Sequence, residues 1–417
     1  MRPVGLYGGE RSKLVIVTHE YPPFAGGIAT YCRELAAAAA ARGIPTEIIA
    51  PHYDEGDDDV DGTVPVRRLL SHHRLSPLTV ASTLSALRRR AGTAFLHAAD
   101  IRSTILVYLA TRGTVHPAYA ATVHGSDASK LDGGSIGVRL ARRAYAEAAT
   151  VFANSEATKG IFQRNMPAAV AVRTTYLGLN ADWLRPAEPA FRSPSLNDFT
   201  ASGTIVSTVG RVEPRKGQLN AIRALALLRT AGSDDVRYVV AGPIVDADYA
   251  AQLVDAANAL EVPMLLAGKL DQADVRRIYA ISRCHVLPSI VDHGRIEGFG
   301  LSLLEAAAQG CPSVASRLGG IPEALVDGVT GILCAEGDIA DLSRAIAAIT
   351  DDPALRARLA AHAVANAQSF TWDRCARDSY GDIFGVHWHE EVDARSDHER
   401  DERQRLARLE ETVDQAG

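Results

Sequence analysis

Cysteine is scarce in this chain of 417 residues, and its placement argues against the usual roles of clustered thiols. The five cysteines are odd in number, lie far apart along the chain and form no CxxC pair. Zinc sites and disulfide frameworks need closely spaced or evenly paired cysteines. We therefore expect isolated, structural thiols in a reducing compartment.

Long apolar runs and an excess of positive charge are also missing. No stretch approaches the roughly 18 apolar residues of a spanning helix, and the first apolar run, "KLVIV", has only the length of a strand. The net charge of -6 provides no general attraction to nucleic acid. We expect a cytoplasmic protein without a nucleic-acid partner.

What the sequence does contain is an alternation of short β-rich runs with longer stretches of helical spacing. This alternation is typical of parallel sheets covered by helices on both faces. The pattern stops at a segment rich in proline and small polar residues, restarts after it, and ends in a charge-dense tail. It predicts two Rossmann-like domains facing across a cleft. The predicted limits are 1–185 for the first domain, 186–203 for a linker, 204–366 for the second domain and 389–417 for the tail.

The stretch "EGFGLSLLEA" carries two glutamates, Glu297 and Glu305, among apolar residues. Gly298 and Gly300 favour a tight turn around Phe299, and helical spacing resumes at Leu301. Amides at the start of a helix favour an anion, and carboxylates accept hydrogen bonds from sugar hydroxyls. An alternative is that Glu297 caps the helix and Glu305 pairs with an arginine.

Two further loops lie between a predicted strand and a predicted helix. "GRVEPRKG" holds Arg211 and Lys216, which can bind phosphate. "PPFAGGIATY" holds Gly26 and Gly27, which allow a diphosphate or a sugar to approach the backbone, although a plain turn is an alternative. Strand ends of parallel sheets gather at one edge, so these loops belong to the predicted cleft.

Other polar residues extend this picture toward an acceptor. "TVHGSD" places His124 and Asp127 at the end of a predicted strand, where histidine can contact a sugar or an acceptor. Residues 62–99 contain no acid but several arginines, among them Arg67 and Arg68. Such a stretch suits a phosphate-bearing acceptor or an anionic membrane surface as well as an ordinary solvated surface.

Metal and nucleophile motifs are not found. The sequence has no nucleophile elbow, no HExxH and no Walker A motif. "DAD" at 246–248 has the spacing of a metal–diphosphate motif, but it precedes a predicted helix, and aspartate is an ordinary helix cap. We expect no metal site and no cofactor.

Taken together, these segments resemble the retaining glycosyltransferases of family 4, which have the GT-B fold. The resemblance covers about residues 12 to 386 and includes "FANSEAT" and "RLGGIPEALVDGVTG". It also implies that a closing helix at 367–388, which contains "FTWDRCARDSYGDIF", crosses back to the N-terminal domain. Its most specific part is the E-x7-E pattern of "EGFGLSLLEA". Pro243 after "VVAG" and the turn "LGLN" depart from the family pattern.

The resemblance implies a role for each matching residue. Arg211 and Lys216 would neutralise the donor diphosphate without an essential metal, Glu305 would hold the ribose and Glu297 the transferred sugar. Gly27 and the amides from Gly298 to Leu301 would line the sugar and phosphates, and His124 would contact the sugar. The donor would be GDP-mannose, UDP-glucose or UDP-GlcNAc, and the acceptor a small molecule, a glycan or a lipid-linked compound, with contact at the inner face of the membrane left open.

Two other functions are compatible with the sequence. A GT-B nucleotide-sugar epimerase would need further acid/base carboxylates in the cleft. A non-catalytic module would bind the sugar nucleotide without turnover.

Overall fold

The computed structural model describes residues 13–24, 26–53, 60–62, 64–71, 77–112, 119–166 and 170–385. Within these ranges the strands form two sheets, one from each half of the chain. Apolar runs such as "LVIV" form the central strands because helices cover both faces of a parallel sheet.

The first sheet comes from the N-terminal half. Its strands are β1 (Leu14–Val17), β2 (Thr46–His52), β3 (Val60–Asp61), β4 (Val64–Ser71), β5 (Phe95–Ala98), β6 (Tyr119–Val123), β7 (Thr150–Ala153) and β8 (Val172–Thr174). Their order is β3-β4-β2-β1-β5-β6-β7-β8, and the described pairs are parallel except β3 with β4. The helices between them are α1 (Gly27–Ala41), α2 (Pro77–Ala91), α3 (Ile101–Thr111), α4 (Gly125–Lys130), α5 (Ile136–Ala146) and α6 (Glu156–Asn165). The loops that follow β1, β6 and β7 therefore share one edge.

The second sheet repeats this plan. After α7 (Pro194–Thr200) come β9 (Thr204–Val209), β10 (Val236–Ala241), β11 (Met264–Gly268), β12 (Cys284–Leu287), β13 (Ser313–Ser316) and β14 (Gly331–Cys334). They form a parallel sheet in the order β11-β10-β9-β12-β13-β14. Its helices are α8 (Gln218–Thr230), α9 (Ala247–Ala259), α10 (Gln272–Ile281), α11 (Leu301–Ala308), α12 (Ile321–Ala324), α13 (Ile339–Asp351) and α14 (Pro353–Gln368). The loops after β9 and β12 lie at the edge that faces the first sheet, as the cavity described below requires.

The last helix, α15 (Trp372–Phe384), returns to the first sheet. Tyr380 is buried against β5, and its hydroxyl lies 2.5 Å from Nδ1 of His97. Arg42, at the end of α1, donates to Asp373 on α15 at 2.5 Å and 2.7 Å. The predicted fold class, with two Rossmann-like domains and a C-terminal helix crossing back, is confirmed.

Two segments differ from their sequence-based description. The predicted linker 186–203 contains α7, and its Phe191 and Leu196 are buried against the second sheet with Ile205 and Val239. The acid-free stretch 62–99, for which the sequence suggested a ligand surface, contributes β4, whose side chains alternate between buried and more exposed. The domain limits themselves stay predictions, and the tail 389–417 lies outside the described residues.

Candidate functional site

A cavity of about 430 Å³ lies between the two sheets, at the edges where their strands end. All of the predicted catalytic and donor-binding residues line it. They are His124, Gly26 and Gly27 from the first half, and Arg211, Lys216, Glu297, Gly298, Phe299, Gly300, Leu301 and Glu305 from the second. The cleft predicted from strand ends and loops therefore gathers residues nearly 280 positions apart, Gly26 and Glu305. We refer to its two sides as the first-sheet wall and the second-sheet wall.

The second-sheet wall is built around the carboxylate of Glu297. Lys216 Nζ lies 2.6 Å and Arg215 Nη1 2.9 Å from Glu297 Oε2, while no described residue contacts Oε1. Burial disfavours the charged carboxylate, but Lys216 and Arg215 outweigh it and lower the pKa of Glu297 to about 2. Glu297 is thus ionised at neutral pH and does not cap the following helix, so the capping alternative is wrong.

Glu213 holds the remaining cations of this wall. Its Oε1 lies 3.1 Å from Arg211 Nη2 and 2.8 Å from Arg215 Nη2, and its Oε2 lies 3.5 Å from Arg295 Nη1. Sequence reasoning missed Glu213, Arg215 and Arg295. The alternation of acid and base within "GRVEPRKG" was the available signal, since buried charges of one sign require counter-charges.

Glu305 lies on the first turn and a half of α11. Tyr279 donates a hydrogen bond of 3.3 Å to its Oε2, and no described arginine pairs with it, contrary to the alternative considered for it. Burial raises the pKa of Glu305 to about 7. The carboxylate also borders a second compartment of about 350 Å³, which is lined by Gly242, Lys269 and Trp183 among others.

Two helix N-termini face the cavity. α1 begins at Gly27 and α11 at Leu301, and neither has a side chain capping its first turn. The first amides of a helix lack partners within the helix and attract anions. Gly300, before α11, has φ +93, a conformation that favours glycine, so the predicted tight turn is present. These amides and the cations together make a site for a diphosphate chemically favourable.

Gly298 marks the closest approach of the two halves. A Cβ atom there would lie 2.9 Å from Asn154 Nδ2 and 3.1 Å from the amide nitrogen of Gly125. A side chain would therefore force the walls apart. Glycine at both Gly125 and Gly298 thus allows the two walls to come into backbone contact at this point.

His124 is fixed in one tautomer. Its Nε2 lies 3.1 Å from the carbonyl oxygen of Ala99, which can only accept, so Nε2 carries the proton and Nδ1 is an acceptor. Burial lowers the pKa of His124 below its usual value and favours the neutral ring. Tyr31 packs edge-on against this ring, with the two ring centroids 5.3 Å apart.

The first-sheet wall carries two carboxylates. Asp127, predicted from "TVHGSD", lines the cavity, and its Oδ1 lies 3.2 Å from Lys130 Nζ. Glu20, which sequence reasoning missed, follows β1 and lines the same wall. Burial, followed by the charge of Asp100, raises the pKa of Glu20 to about 7. Its position directly after the first strand was the signal that could have revealed it.

The predicted acceptor residues Arg67 and Arg68 do not line the cavity. Arg68 is buried, donates to the carbonyls of Pro51 and Pro22, and lies over the ring of Tyr21. Arg67 lies 3.7 Å from the buried carboxylate of Glu47 on β2. The structure therefore engages both arginines within the first domain and does not bring them to the cavity, contrary to the placement that the sequence suggested.

The described residues contain no group of three or more His, Cys, Asp or Glu side chains that could hold a metal ion. Asp246 of "DAD" accepts a hydrogen bond of 2.9 Å from the amide of Tyr249, which confirms it as the cap of α9. In the described part of the chain, no helix has the length and apolarity needed to cross a membrane.

Comparisons with known proteins agree with this architecture. Residues 25–183 match the family described as Glycosyltransferase Family 4, and residues 197–365 match Glycosyl transferases group 1. A glycogen synthase of Mycobacterium tuberculosis (strain ATCC 25618 / H37Rv) is 37% identical over 171 residues, 40% of this chain and 39% of that protein. A D-inositol 3-phosphate glycosyltransferase of Streptomyces scabiei is 31% identical over 217 residues, 49% of this chain and 46% of that protein. The chain thus matches less than half the length of these relatives.

Solved structures share the fold at low identity. Sucrose-phosphate synthase from Thermosynechococcus elongatus superposes with a TM-score of 0.74 at 21% identity, over 88% of this chain and 97% of that one. HepE of Anabaena, solved with UDP and glucose, gives a TM-score of 0.70 at 21% identity, over 88% of this chain and 98% of that one. With a glycosyltransferase match on each side of the cleft and a GT-B architecture throughout, the chain belongs to glycosyltransferase family 4.

Proposed function

We propose that the chain is a retaining hexosyltransferase. It would move a hexosyl unit from GDP-mannose, UDP-glucose or UDP-GlcNAc to a hydroxyl acceptor without an essential metal. The observation that carries this proposal is the cavity in which Arg211 and Lys216 lie on the same wall as the N-terminus of α11, with the N-terminus of α1 on the opposite wall. Cations and helix amides aimed at one point suit a diphosphate leaving group.

The sugar is assigned to the space beside Glu297. Its Oε2 is anchored by Lys216 and Arg215, and Oε1 has no described partner and is available to a sugar hydroxyl. Nδ1 of His124 offers an acceptor from the opposite wall. Glu305, at the border with the second compartment, is assigned to the ribose hydroxyls of the nucleotide.

Transfer is proposed to occur on the face of the sugar from which the phosphate leaves. The bond between the anomeric carbon and the phosphate oxygen breaks, the acceptor oxygen bonds to that carbon, and the acceptor proton passes to the leaving phosphate. Arg211 and Lys216 stabilise the charge on that phosphate. A double displacement through Glu297 is disfavoured, because two cations share its charge and weaken it as a nucleophile.

The test combines three measurements. A thermal-shift screen of nucleotide sugars identifies the donor, because a ligand of the native state raises Tm. NMR of the product gives the anomeric configuration, and EDTA treatment tests the need for a metal. Inversion at the anomeric carbon, or activity that EDTA abolishes and a divalent ion restores, would contradict the corresponding part of the proposal.

An epimerase remains a second candidate because of Glu20. This carboxyl group lines the cavity, and burial raises its pKa to about 7, which suits proton transfer. Incubation of the donor alone separates the two functions. Epimerised sugar nucleotide formed without any acceptor would favour the epimerase, whereas binding without turnover under every condition would favour a non-catalytic module.

A further inference from the structure

The first-sheet wall is acidic where an acceptor would enter. Glu20 and Asp127 line it, and among the described residues of that wall Lys130 is the one cation. Lys130 is already paired with Asp127 at 3.2 Å. The other cations of the cavity, Arg211, Arg215, Lys216 and Arg295, belong to the opposite wall.

Unused hydrogen-bond acceptors on this wall point to a ligand rich in donors. Asp127 is 4% exposed, and its Oδ2 has no hydrogen-bond partner among the described residues. Asn154, which is 5% exposed and also lines the cavity, leaves its Oδ1 without a partner. No described residue donates to the carboxylate of Glu20, whose Oε2 lies beside Gly26. Buried acceptors without partners are costly until a donor reaches them.

We propose that the acceptor is a neutral polyhydroxy compound, a sugar or a cyclitol, whose hydroxyl groups donate to Glu20 and Asp127, and that phosphorylated acceptors are disfavoured. This inference rests on the proposed transferase function. A phosphate monoester carries about two negative charges at neutral pH, has mainly acceptor oxygens and would face the carboxylate of Asp127 and the carboxyl group of Glu20, which is partly ionised near pH 7 and more fully above it. Like charges placed opposite one another at a binding surface are strongly unfavourable.

Three arginines of the acid-free stretch do not compensate for this acidity. Arg67 and Arg90 converge with Lys13 on the buried carboxylate of Glu47, and neither arginine lines the cavity. Arg68 is committed to the carbonyls of Pro51 and Pro22. These three cations, which favoured a phosphorylated acceptor at the level of sequence, are therefore engaged outside the lining of the cavity.

Matched pairs of acceptors test the proposal. Glucose is compared with glucose 6-phosphate, and inositol with inositol 3-phosphate, in binding to the full chain loaded with nucleoside diphosphate and in transfer from the donor found by thermal shift. We expect the neutral member of at least one pair to bind at least about tenfold more tightly than its phosphate. A panel in which no neutral compound is preferred over its phosphate overturns the proposal.

Variants of Glu20 connect this preference to the wall. At pH 8, where Glu20 is largely ionised, Glu20→Gln should raise KM for a neutral acceptor about tenfold, because a hydrogen bond to a charged group is replaced by one to a neutral amide. Glu20→Lys should move the preference toward the phosphorylated member of the pair. The matched control is Glu147→Gln, an exposed glutamate of the same domain outside the cavity. An unchanged preference in Glu20→Lys, with the fold intact, would count against the assignment.

Measurements of donor binding distinguish a failure of the acceptor inference from a failure of the proposed transferase function. The cations that would hold the nucleotide lie on the second-sheet wall, so nucleotide affinity should change much less than the acceptor KM in Glu20→Gln. If nucleotide sugars bind and turn over while phosphorylated acceptors are preferred, the acceptor inference fails and the transferase function stands. If no nucleotide sugar binds, the transferase function itself fails.

Discussion

Replacing Lys216 by methionine tests the second-sheet wall most directly, because it removes a charge and keeps the length of the side chain. The side chain of Lys216 is 12% exposed, and its Nζ lies 2.6 Å from Glu297 Oε2. Loss of one preorganised group that stabilises developing charge typically costs about 10²–10³-fold in kcat, or roughly 2.7–4 kcal/mol. We expect a fall in kcat of this size. Donor affinity should change less, since Arg211 and Arg215 still line the cavity.

The same substitution also affects stability, and the two effects have to be separated. Breaking a buried ion pair from one side costs about 3–5 kcal/mol, because the other charge stays buried. Glu297 keeps Arg215 at 2.9 Å, so we expect the lower end of that range. The double variant Lys216→Met/Glu297→Gln removes the stranded charge. It should recover part of the free energy of unfolding without recovering kcat.

The chain offers a close control in Lys13→Met. Lys13 and Arg90 hold the buried Glu47 at 2.5 Å and 2.7 Å, an arrangement similar to Lys216 and Arg215 around Glu297, and it lies outside the cavity. Lys13→Met should lower stability and leave kcat unchanged. The assays are initial rates at saturating donor and acceptor, and urea unfolding followed by circular dichroism. A near-normal kcat in Lys216→Met, or a rate that recovers with stability in the double variant, refutes the phosphate role of Lys216.

Further predictions concern three glutamates. Glu305→Gln should weaken nucleotide binding about tenfold if its carboxylate accepts ribose hydroxyls, and calorimetry that shows unchanged affinity removes that role. Burial raises the pKa of Glu305 from 4.5 to about 7, so its contribution to stability is full below pH 4.5 and is lost as the pH rises through 7. Glu305→Gln should therefore be similar in stability to wild type at pH 4.5. At pH 8 it should be more stable than wild type, by at most about 3 kcal/mol. The pKa of Glu297 shifts in the opposite direction, from 4.5 down to about 2. Wild type should therefore lose its stability advantage over Glu297→Gln as the pH drops from 4.5 to 2. Equal acid unfolding of the two proteins contradicts this prediction. Glu323 accepts hydrogen bonds from the amides of Glu156 at 2.6 Å and Ala157 at 2.9 Å across the cleft. Glu323→Gln should therefore lower kcat/KM several-fold with little change in Tm. A fall in kcat/KM that is accompanied by a clear fall in Tm indicates a purely structural contact.

The fold and most of the site were accessible from the sequence because both depend on local patterns. Strand-length apolar runs followed by helical spacing predict parallel sheets, and parallel sheets place the loops after their strands at one edge. His124 and Arg211 come just after such strands, and Gly27 ends the loop that follows the first strand, so their meeting in one cavity follows from topology alone. Glu297 and Glu305 were recognisable because carboxylates among apolar residues require partners.

The errors arose where a side chain's partner is distant in sequence. Arg67 and Arg68 belong to a run without acids, so they suggested an anionic ligand. Their partners are Glu47, on the neighbouring strand β2, and the carbonyls of Pro51 and Pro22. A count of charges within one segment cannot detect a counter-charge supplied by the next strand of the sheet.

The cation cluster around Glu213 could not be predicted in full from "GRVEPRKG", because Arg295 and Glu297 come from a different loop. The two carboxylates of the cluster, Glu213 and Glu297, have a physical role of their own. Arg211, Arg215 and Arg295 gather around Glu213, and Lys216 shares Glu297 with Arg215. Four cations so close together would repel one another in an empty site. The internal carboxylates offset that repulsion and keep the cations in position before a diphosphate arrives, so little reorganisation is needed during transfer. Among the described residues, Arg211 is the cation of this cluster that pairs only with Glu213, and its side chain is about a third exposed. We therefore expect Arg211 to exchange Glu213 for the diphosphate when the donor binds.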